Sequence, residues 1–182
     1  MGGCVGATGS PLAPVHAVHR LDHRSRSPAR SRRRKRGAHP TGRSRGGLTS
    51  KVHAVVDQDG LPVRLCVTEG QASDKTVALT LIPGLPASSA LVGDRAYDAK
   101  GVLHAALANG TPAHVPTQRD RLVQRTVPHD LYAQRNLVER FFNQMKHCRR
   151  AATRYDKFAR NYLAAVSLIA ARLWCRHVES TT

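Results

Sequence analysis

Hydrophobic and polar residues alternate along two stretches near the middle of the chain, and a period of two is typical of β-strands. The first stretch covers residues 51–57 and the second covers residues 61–68. Between them, Asp59-Gly60 is a common turn sequence in hairpins. The pattern therefore predicts two antiparallel strands joined by a tight turn.

The chain after this hairpin alternates between stretches of helical and strand character. Ser73 is suited to cap a helix that runs through Leu81. The pattern then predicts a buried strand, a second helix, a short strand, a basic loop and two closing helices, at residues 90–94, 99–109, 113–116, 117–130, 131–148 and 158–176. A hairpin followed by such units predicts an α/β protein, with a mixed sheet and helices on its faces.

The charge of the chain narrows the range of partners. Its 182 residues include 29 Lys and Arg against 12 Asp and Glu, a net charge of +17. This excess indicates a polyanionic partner, most simply nucleic acid. The sequence shows neither a secretory signal nor an apolar run of the roughly 18 residues that a membrane span requires. We therefore expect a cytoplasmic protein without membrane contact.

The basic residues are concentrated near the start of the chain. Residues 1–50 contain 11 of the 29 Lys and Arg and 1 of the 12 Asp and Glu, a net charge of +10. Because residues 20–45 contain hardly any aliphatic side chains, they offer little apolar surface for a core. We predict that residues 1–41 form a basic, largely disordered arm. It could clamp phosphates, or it could have no selected role.

Two acidic residues are candidates for chemistry. Glu139 shares one face of the predicted helix 131–148 with Arg135 and Lys146, a spacing that by itself is typical of a surface ion pair. Asp94, however, follows an apolar strand, and α/β sheets place active groups at the carboxyl ends of strands. A strand-end Asp facing a helical Glu can hold divalent cations through oxygen ligands. We assign Asp98, at the start of the next helix, a capping role.

These residues belong to a longer motif. The spacing Tyr132-x2-Arg135-x3-Glu139-x6-Lys146 matches the Y-x2-R-x3-E-x6-K signature of bacterial insertion-sequence transposases with a DDE site, and the chain resembles that family. Four further segments are also similar to the family: GRSRGGLTSKVHAVVD (42–57), EGQASD (69–74), GDRAYD (93–98) and residues 134–166.

The resemblance implies a ribonuclease-H-like fold and cleavage and joining of DNA with Mg²⁺ or Mn²⁺. It makes residues 42–176 the catalytic domain and residues 177–182 a tail, with Asp94 and Glu139 as catalytic residues and metal ligands. The DNA contacts that we infer are Arg43, Arg45, Tyr132, Arg135, Lys146, Arg149, Arg150 and Arg154. The partners would be terminal inverted repeats, target DNA, further copies in a synaptic complex and an N-terminal partner encoded in an upstream frame, near the bacterial nucleoid.

One part of the family pattern is missing. The first Asp of the family ends an initial strand upstream of GRSRGG, whereas Asp22 lies among basic residues. We therefore predict that the first strand is missing or scrambled. Permitted codons for residues 20–35, read one base later, encode DWTTVRAHRPGHAAGA, which resembles the missing segment. We hypothesise that residues up to about Arg36 are translated out of frame.

The sequence leaves three hypotheses on function. The first is a transposase with weak or absent strand transfer, because its first acidic ligand is missing. The second is a non-catalytic DNA-binding remnant that regulates or accompanies an intact transposase. The third, a generic polybasic nucleic-acid binder, does not explain the positions of Asp94 and Glu139.

Overall fold

A computed structural model describes residues 15–24, 42–44, 47–152 and 158–181 of the chain. The strands are β1 (Val15–Arg24), β2 (Gly42–Ser44), β3 (Gly47–Val56), β4 (Pro62–Glu69), β5 (Ala90–Gly93) and β6 (Ala113–His114). The helices are α1 (Asp74–Leu81), α2 (Lys100–Ala108), α3 (His129–Ala133), α4 (Asn136–His147), α5 (Arg149–Ala152) and α6 (Ala159–Thr181).

The strands form one mixed sheet in the order β2-β3-β1-β5-β6. Strand β1 is antiparallel to β3 and parallel to β5, and β6 is parallel to β5. The other edge of β3 pairs with β2 and then with β4. The prediction of an α/β protein with a mixed sheet is confirmed.

The central strand of this sheet is β1, so the prediction that the first strand is missing is wrong. Its backbone pairs with β3 from Ala17 to Arg24 and with β5 from Val15 to Val18. The ladder with β3 covers most of β1, and the ladder with β5 covers its first four residues. These backbone hydrogen bonds hold the strand in the sheet although it has few apolar side chains. Strand β1 lies within the range 1–41 that we assigned to the arm. The rest of that range is outside the described residues.

Helices cover both faces of the sheet. One core cluster joins Ala17, Val52 and Ala54 to Phe141 of α4 and Val166 of α6. On the opposite face, a second cluster joins β3 and β5 to α1 and α2. Side chains alternate between the two faces along a strand. The cluster to which a strand residue belongs therefore shows which face of the sheet its side chain occupies.

The predicted hairpin is confirmed, and its turn has a clear physical basis. The carboxylate of Asp57 accepts hydrogen bonds from the backbone N–H groups of Asp59 (3.0 Å) and Leu61 (2.9 Å). Gly60 has a φ of +80°, a conformation that costs glycine little and other residues more. The turn therefore depends on local chemistry that the sequence displays.

The C-terminal helices differ from the prediction. We predicted one helix over 131–148, but the structure has two, α3 and α4, separated at Gln134 and Arg135. At this point the backbone hydrogen bonds link residues three apart, as in a 3₁₀-helix. Helix α6 continues to Thr181, through most of the predicted tail. Within the described ranges, no helix combines the length and the apolar character that crossing a membrane requires.

Candidate functional site

Asp94 lies directly after β5, at its carboxyl end. Its backbone is extended, and its carboxylate accepts a hydrogen bond from the N–H of Ala96 (2.8 Å), which caps the short 3₁₀ turn Arg95–Tyr97. Ala90 and Val92 of β5 pack against Tyr132 of α3. Because strand positions alternate, Asp94 occupies the same side of the sheet as α3.

Glu139 lies in the first turn of α4, and this helix covers the same side of the sheet. Val138 and Phe141 of α4 pack against Ala17 of β1. Ala17 is in register with Val92 of β5, and residues in register share a face. The structure therefore places Asp94 and Glu139 on one side of the sheet, beside α3 and α4.

Arg135 connects the other motif residues at this site. Its guanidinium group lies 2.7 Å from the carboxylate of Glu139 and 5.5 Å from the ring centroid of Tyr132. The side chains of Arg135 and Glu139 are 28% and 38% exposed. Such an i,i+4 pair contributes only about 0.3–0.5 kcal/mol to stability, so the guanidinium can exchange its partner at little cost.

Several of the predicted DNA contacts extend a basic surface beyond Arg135. Lys146 is exposed on the helical stripe of α4 that carries Arg135 and Glu139, and Arg149 and Arg150 follow as exposed residues of α5. Arg43 lies in β2, where only the backbone is described. Arg45 and Arg154 lie outside the described residues.

The structure shows no third carboxylate beside Asp94 and Glu139 among the side chains that it describes. Leu21 packs into the core beneath α4, which puts position 21 on the side of Asp94. In the ladder between β1 and β3, the backbone of Asp22 is in register with that of Lys51. No group of three His, Cys, Asp or Glu able to hold a metal ion occurs in the part of the chain that the structure describes. Within these described ranges, the carboxylates of Asp94 and Glu139 by themselves do not fit a pair of divalent cations.

The opposite side of the sheet has a structural ion pair that the sequence analysis missed. The Lys51 ammonium group lies 3.2 Å from the carboxylate of Asp74, and it donates a hydrogen bond to the carbonyl of Ala72 (2.8 Å). Both charged side chains are nearly buried. This contact fixes the start of α1 against β3. The charge of Lys51 therefore stabilises the fold.

Asp98 has a different role from the capping role that we predicted. Ala99 is the residue that precedes α2, and it makes no side-chain cap. Asp98 is fully buried and accepts a hydrogen bond from the Gln118 N–H (2.9 Å). Its carboxylate also pairs with Arg121 (2.9 Å) and with Arg125. Asp98 therefore anchors the basic loop between β6 and α3.

The pKa of Asp98 reflects these contacts. Burial by itself raises this pKa, because a buried carboxylate loses hydration. The hydrogen bond from Gln118 and the guanidinium groups of Arg125 and Arg121 outweigh burial and hold the pKa below its usual value. The arginines in loop 117–130 were the sequence signal for this anchor, since a buried carboxylate needs a positive partner.

Comparison with known proteins agrees with the motif. The family profile described as "Transposase DDE domain" matches residues 19–174. A Brucella ovis protein named "Putative transposase for insertion sequence element IS6501" is 36% identical over 131 residues. This alignment covers 71% of the present chain and 100% of the Brucella protein. The family profile includes the segment from Asp94 to Glu139, and each match covers most of the chain.

Proposed function

Because the chain belongs to the family of transposases with a DDE domain, we propose that it binds DNA at the ends of an insertion sequence. The net charge of +17 supports a DNA partner. The central β1, antiparallel to β3 and parallel to β5, supports a ribonuclease-H-like sheet. Further copies of the chain, and an N-terminal partner from an upstream frame, would assemble with it on terminal inverted repeats and target DNA beside the bacterial nucleoid.

The surface beside Glu139 is the proposed site for DNA ends. Arg135 would exchange the Glu139 carboxylate for a DNA phosphate, to which a guanidinium can donate two hydrogen bonds. Lys146 lies on the same stripe of α4 and would contact a second phosphate. Tyr132 would stack on a base or sugar near the strand end. Each role uses a side chain that is at least partly exposed.

The carboxylates determine how much cleavage to expect. In this family Asp94 and Glu139 would bind Mg²⁺ or Mn²⁺, and paired divalent cations activate the attacking water and stabilise the leaving oxygen of a phosphodiester. Here the strand position beneath α4 is occupied by Leu21, and no third carboxylate among the described side chains accompanies the two. The packing of Leu21 is the observation on which we propose weak or absent strand transfer.

The same observation favours a second candidate function. A chain that keeps the basic surface of α4 and lacks a complete set of ligands would occupy element ends without cutting them. It would then regulate an intact transposase or assemble with it. This alternative differs from the first only in whether Glu139 contributes to any cleavage.

Substitution of Glu139 by Gln distinguishes the two candidates. We expect end-containing duplexes to bind both proteins, measured by gel shift, because Gln keeps the size of the side chain and removes only its charge. Residual nicking with Mg²⁺ or Mn²⁺ that disappears in Glu139→Gln supports the enzyme. Absence of nicking in both proteins, with binding retained, supports the non-catalytic alternative. Glu179→Gln, at the exposed end of α6, is the matched control.

The origin of Leu21 can be tested in the gene. In the hypothetical shifted frame, the Asp of DWTT overlaps the codons of Arg20 and Leu21. This would place the ancestral carboxylate next to the position that packs beneath α4. The nucleotide sequence decides the matter, because a stop codon or the absence of Asp-x-Thr in that frame contradicts the hypothesis. Robust cleavage of terminal repeats by the chain as written would contradict the proposed loss of activity.

A further inference from the structure

A groove of about 710 Å³ lies between α4 and α6, and the proposed DNA site does not include it. Leu137 and Phe141 of α4 and Leu173 of α6 form part of its apolar lining. Asp59, Gly60 and Leu61 of the hairpin turn also line it. We call this feature the α4–α6 groove.

Each helix contributes one continuous face to the α4–α6 groove. On α6, Ile169, Arg172, Leu173 and Arg176 follow the three- and four-residue spacing of a single helix face. At about 1.5 Å per residue, Arg172 and Arg176 are about 6 Å apart along the helix axis. The groove is therefore an elongated channel along α6.

The charge of the groove is strongly positive. Arg140, Arg172 and Arg176 line it together with His147 and His177, and Asp59 is its one acidic lining residue. Among the described residues, none of the three guanidinium groups has an ion-pair or hydrogen-bond partner. Three like charges held along one channel repel each other, and a bound anion would relieve that repulsion.

This groove occupies a different face of α4 from the motif residues. Arg140 follows Glu139 by one residue, which corresponds to about 100° around the helix axis. Lys146, in contrast, shares the stripe of Glu139. A DNA strand bound beside Glu139 would therefore not fill the α4–α6 groove.

We propose that the α4–α6 groove binds the phosphate backbone of a second segment of duplex DNA, without reading its sequence. The guanidinium group is the side chain best matched to phosphate oxygens, to which it donates two parallel hydrogen bonds. The exposed arginines of the groove are of the kind that contacts phosphate oxygens and fixes a protein on duplex DNA. The proposal rests on the proposed function only in taking DNA as the polyanion.

The test measures sequence-independent binding by the full chain. The variant carries Arg140→Ala, Arg172→Ala and Arg176→Ala, and the ligand is a random-sequence duplex of about 30 base pairs, long enough for several phosphate contacts. We expect its affinity at low salt to fall about tenfold or more. We also expect the slope of log K against log salt to become shallower by about 2–3, since each phosphate contact contributes about 0.9.

A matched control separates the groove from general charge. Lys100→Ala, Arg119→Ala and Arg160→Ala together remove the same charge from exposed positions outside the groove. We expect this control to change the slope by less than about 1. Equal changes in the two triple variants, or an unchanged groove variant, would overturn the proposal. Gln144→Glu, which adds a negative charge to the groove without removing an arginine, should also weaken DNA binding.

Competition with polyglutamate tests the other kind of occupant. If the groove variant loses polyglutamate binding and keeps DNA binding, the groove binds an acidic protein segment and the proposal is wrong. The duplex contains no element ends and no cleavage is measured. A failure of end-specific cleavage therefore contradicts the proposed function and leaves the proposed role of the groove unaffected. A failure of the groove variant to lose duplex binding contradicts the role of the groove and leaves the proposed function unaffected.

Discussion

Leu21 of β1 and Val52 of β3 lie opposite each other in register, and both pack into the core beneath α4. The neighbouring backbone pair in this ladder is Asp22 and Lys51. Because Leu21 packs into the core, the side of the sheet that carries Asp94 and Glu139 has an apolar side chain at this position of β1.

Replacement of Leu21 by Asp tests this relationship. Without divalent cations we expect a loss of about 1–3 kcal/mol in the free energy of unfolding, because a charged group replaces a packed side chain on the side of the sheet that carries Asp94 and Glu139. Millimolar Mg²⁺ or Mn²⁺ should raise the melting temperature of this variant, because a ligand that binds the folded state stabilises it. Thermal melting with EDTA and with each cation measures both effects.

Leu21→Asn is the matched control for this experiment, since it has a similar shape and no charge. Its melting temperature should respond to divalent cations no more than that of the parent chain. An equal response of the Asp and Asn variants would show that position 21 is not near a cation site.

Asp98→Asn should loosen the basic loop between β6 and α3. The change removes the charge that pairs with Arg121 and Arg125, both more than one-third exposed. We expect a loss of about 1–3 kcal/mol in the free energy of unfolding and faster tryptic cleavage in the loop. Asp120→Asn, at an exposed position in the same loop, should change stability by less than about 0.5 kcal/mol. Similar cleavage rates in the two variants would contradict the anchoring role.

The contribution of Asp98 to stability should depend on pH in a defined direction. Its pKa in the folded state lies below the usual value, so the ionised form stabilises the fold above the unfolded pKa of about 3.9. This stabilisation is lost as the pH falls through the folded pKa. The stability difference between the parent chain and Asp98→Asn should thus be constant from about pH 7 to 5 and shrink below about pH 4. Denaturant unfolding across this range measures it, and a constant difference down to pH 3 would contradict the assignment.

A glycine substitution in the hairpin turn, compared with one in α2, tests the backbone conformation of the turn. Gly60→Ala should lower the free energy of unfolding by about 1 kcal/mol, because Gly60 has a φ of +80° and a Cβ there would be strained even though its nearest contact is 3.6 Å away. Gly101→Ala, near the start of α2, has no such conformation and should stabilise by up to about 1 kcal/mol. Urea unfolding of both variants measures the contrast, and effects of the same sign would contradict it.

Local chemistry explains which elements were predictable. The hairpin of β3 and β4, the strand β5 and the helices α1 and α2 each follow from a periodic pattern or a turn sequence within about ten residues. The break between α3 and α4 was missed because the apolar pattern continues across Gln134 and Arg135. The break depends on backbone hydrogen bonds, which the spacing of apolar residues does not reveal.

The candidate site was only partly predictable, because some of its contacts join residues that are far apart in the sequence. Motif spacing is a linear property, so it predicted that Asp94 and Glu139 belong together and that Arg135 pairs with Glu139. The anchoring role of Asp98 and the α4–α6 groove involve residues about 20 or more positions apart. Their contacts depend on how the elements pack, so no local pattern reports them.

The amino-acid order by itself determined the α/β class, the basic character and the transposase motifs. Each of these follows from composition, from the period of hydrophobic residues or from the spacing of motif residues. Only the tertiary structure decided that β1 is the central strand and that Leu21 lies beneath α4. The physical reason is that strand pairing and the choice of face are set by the neighbouring strands β3 and β5. A poorly apolar segment can enter a sheet when a neighbouring strand, here β3, pairs with its backbone.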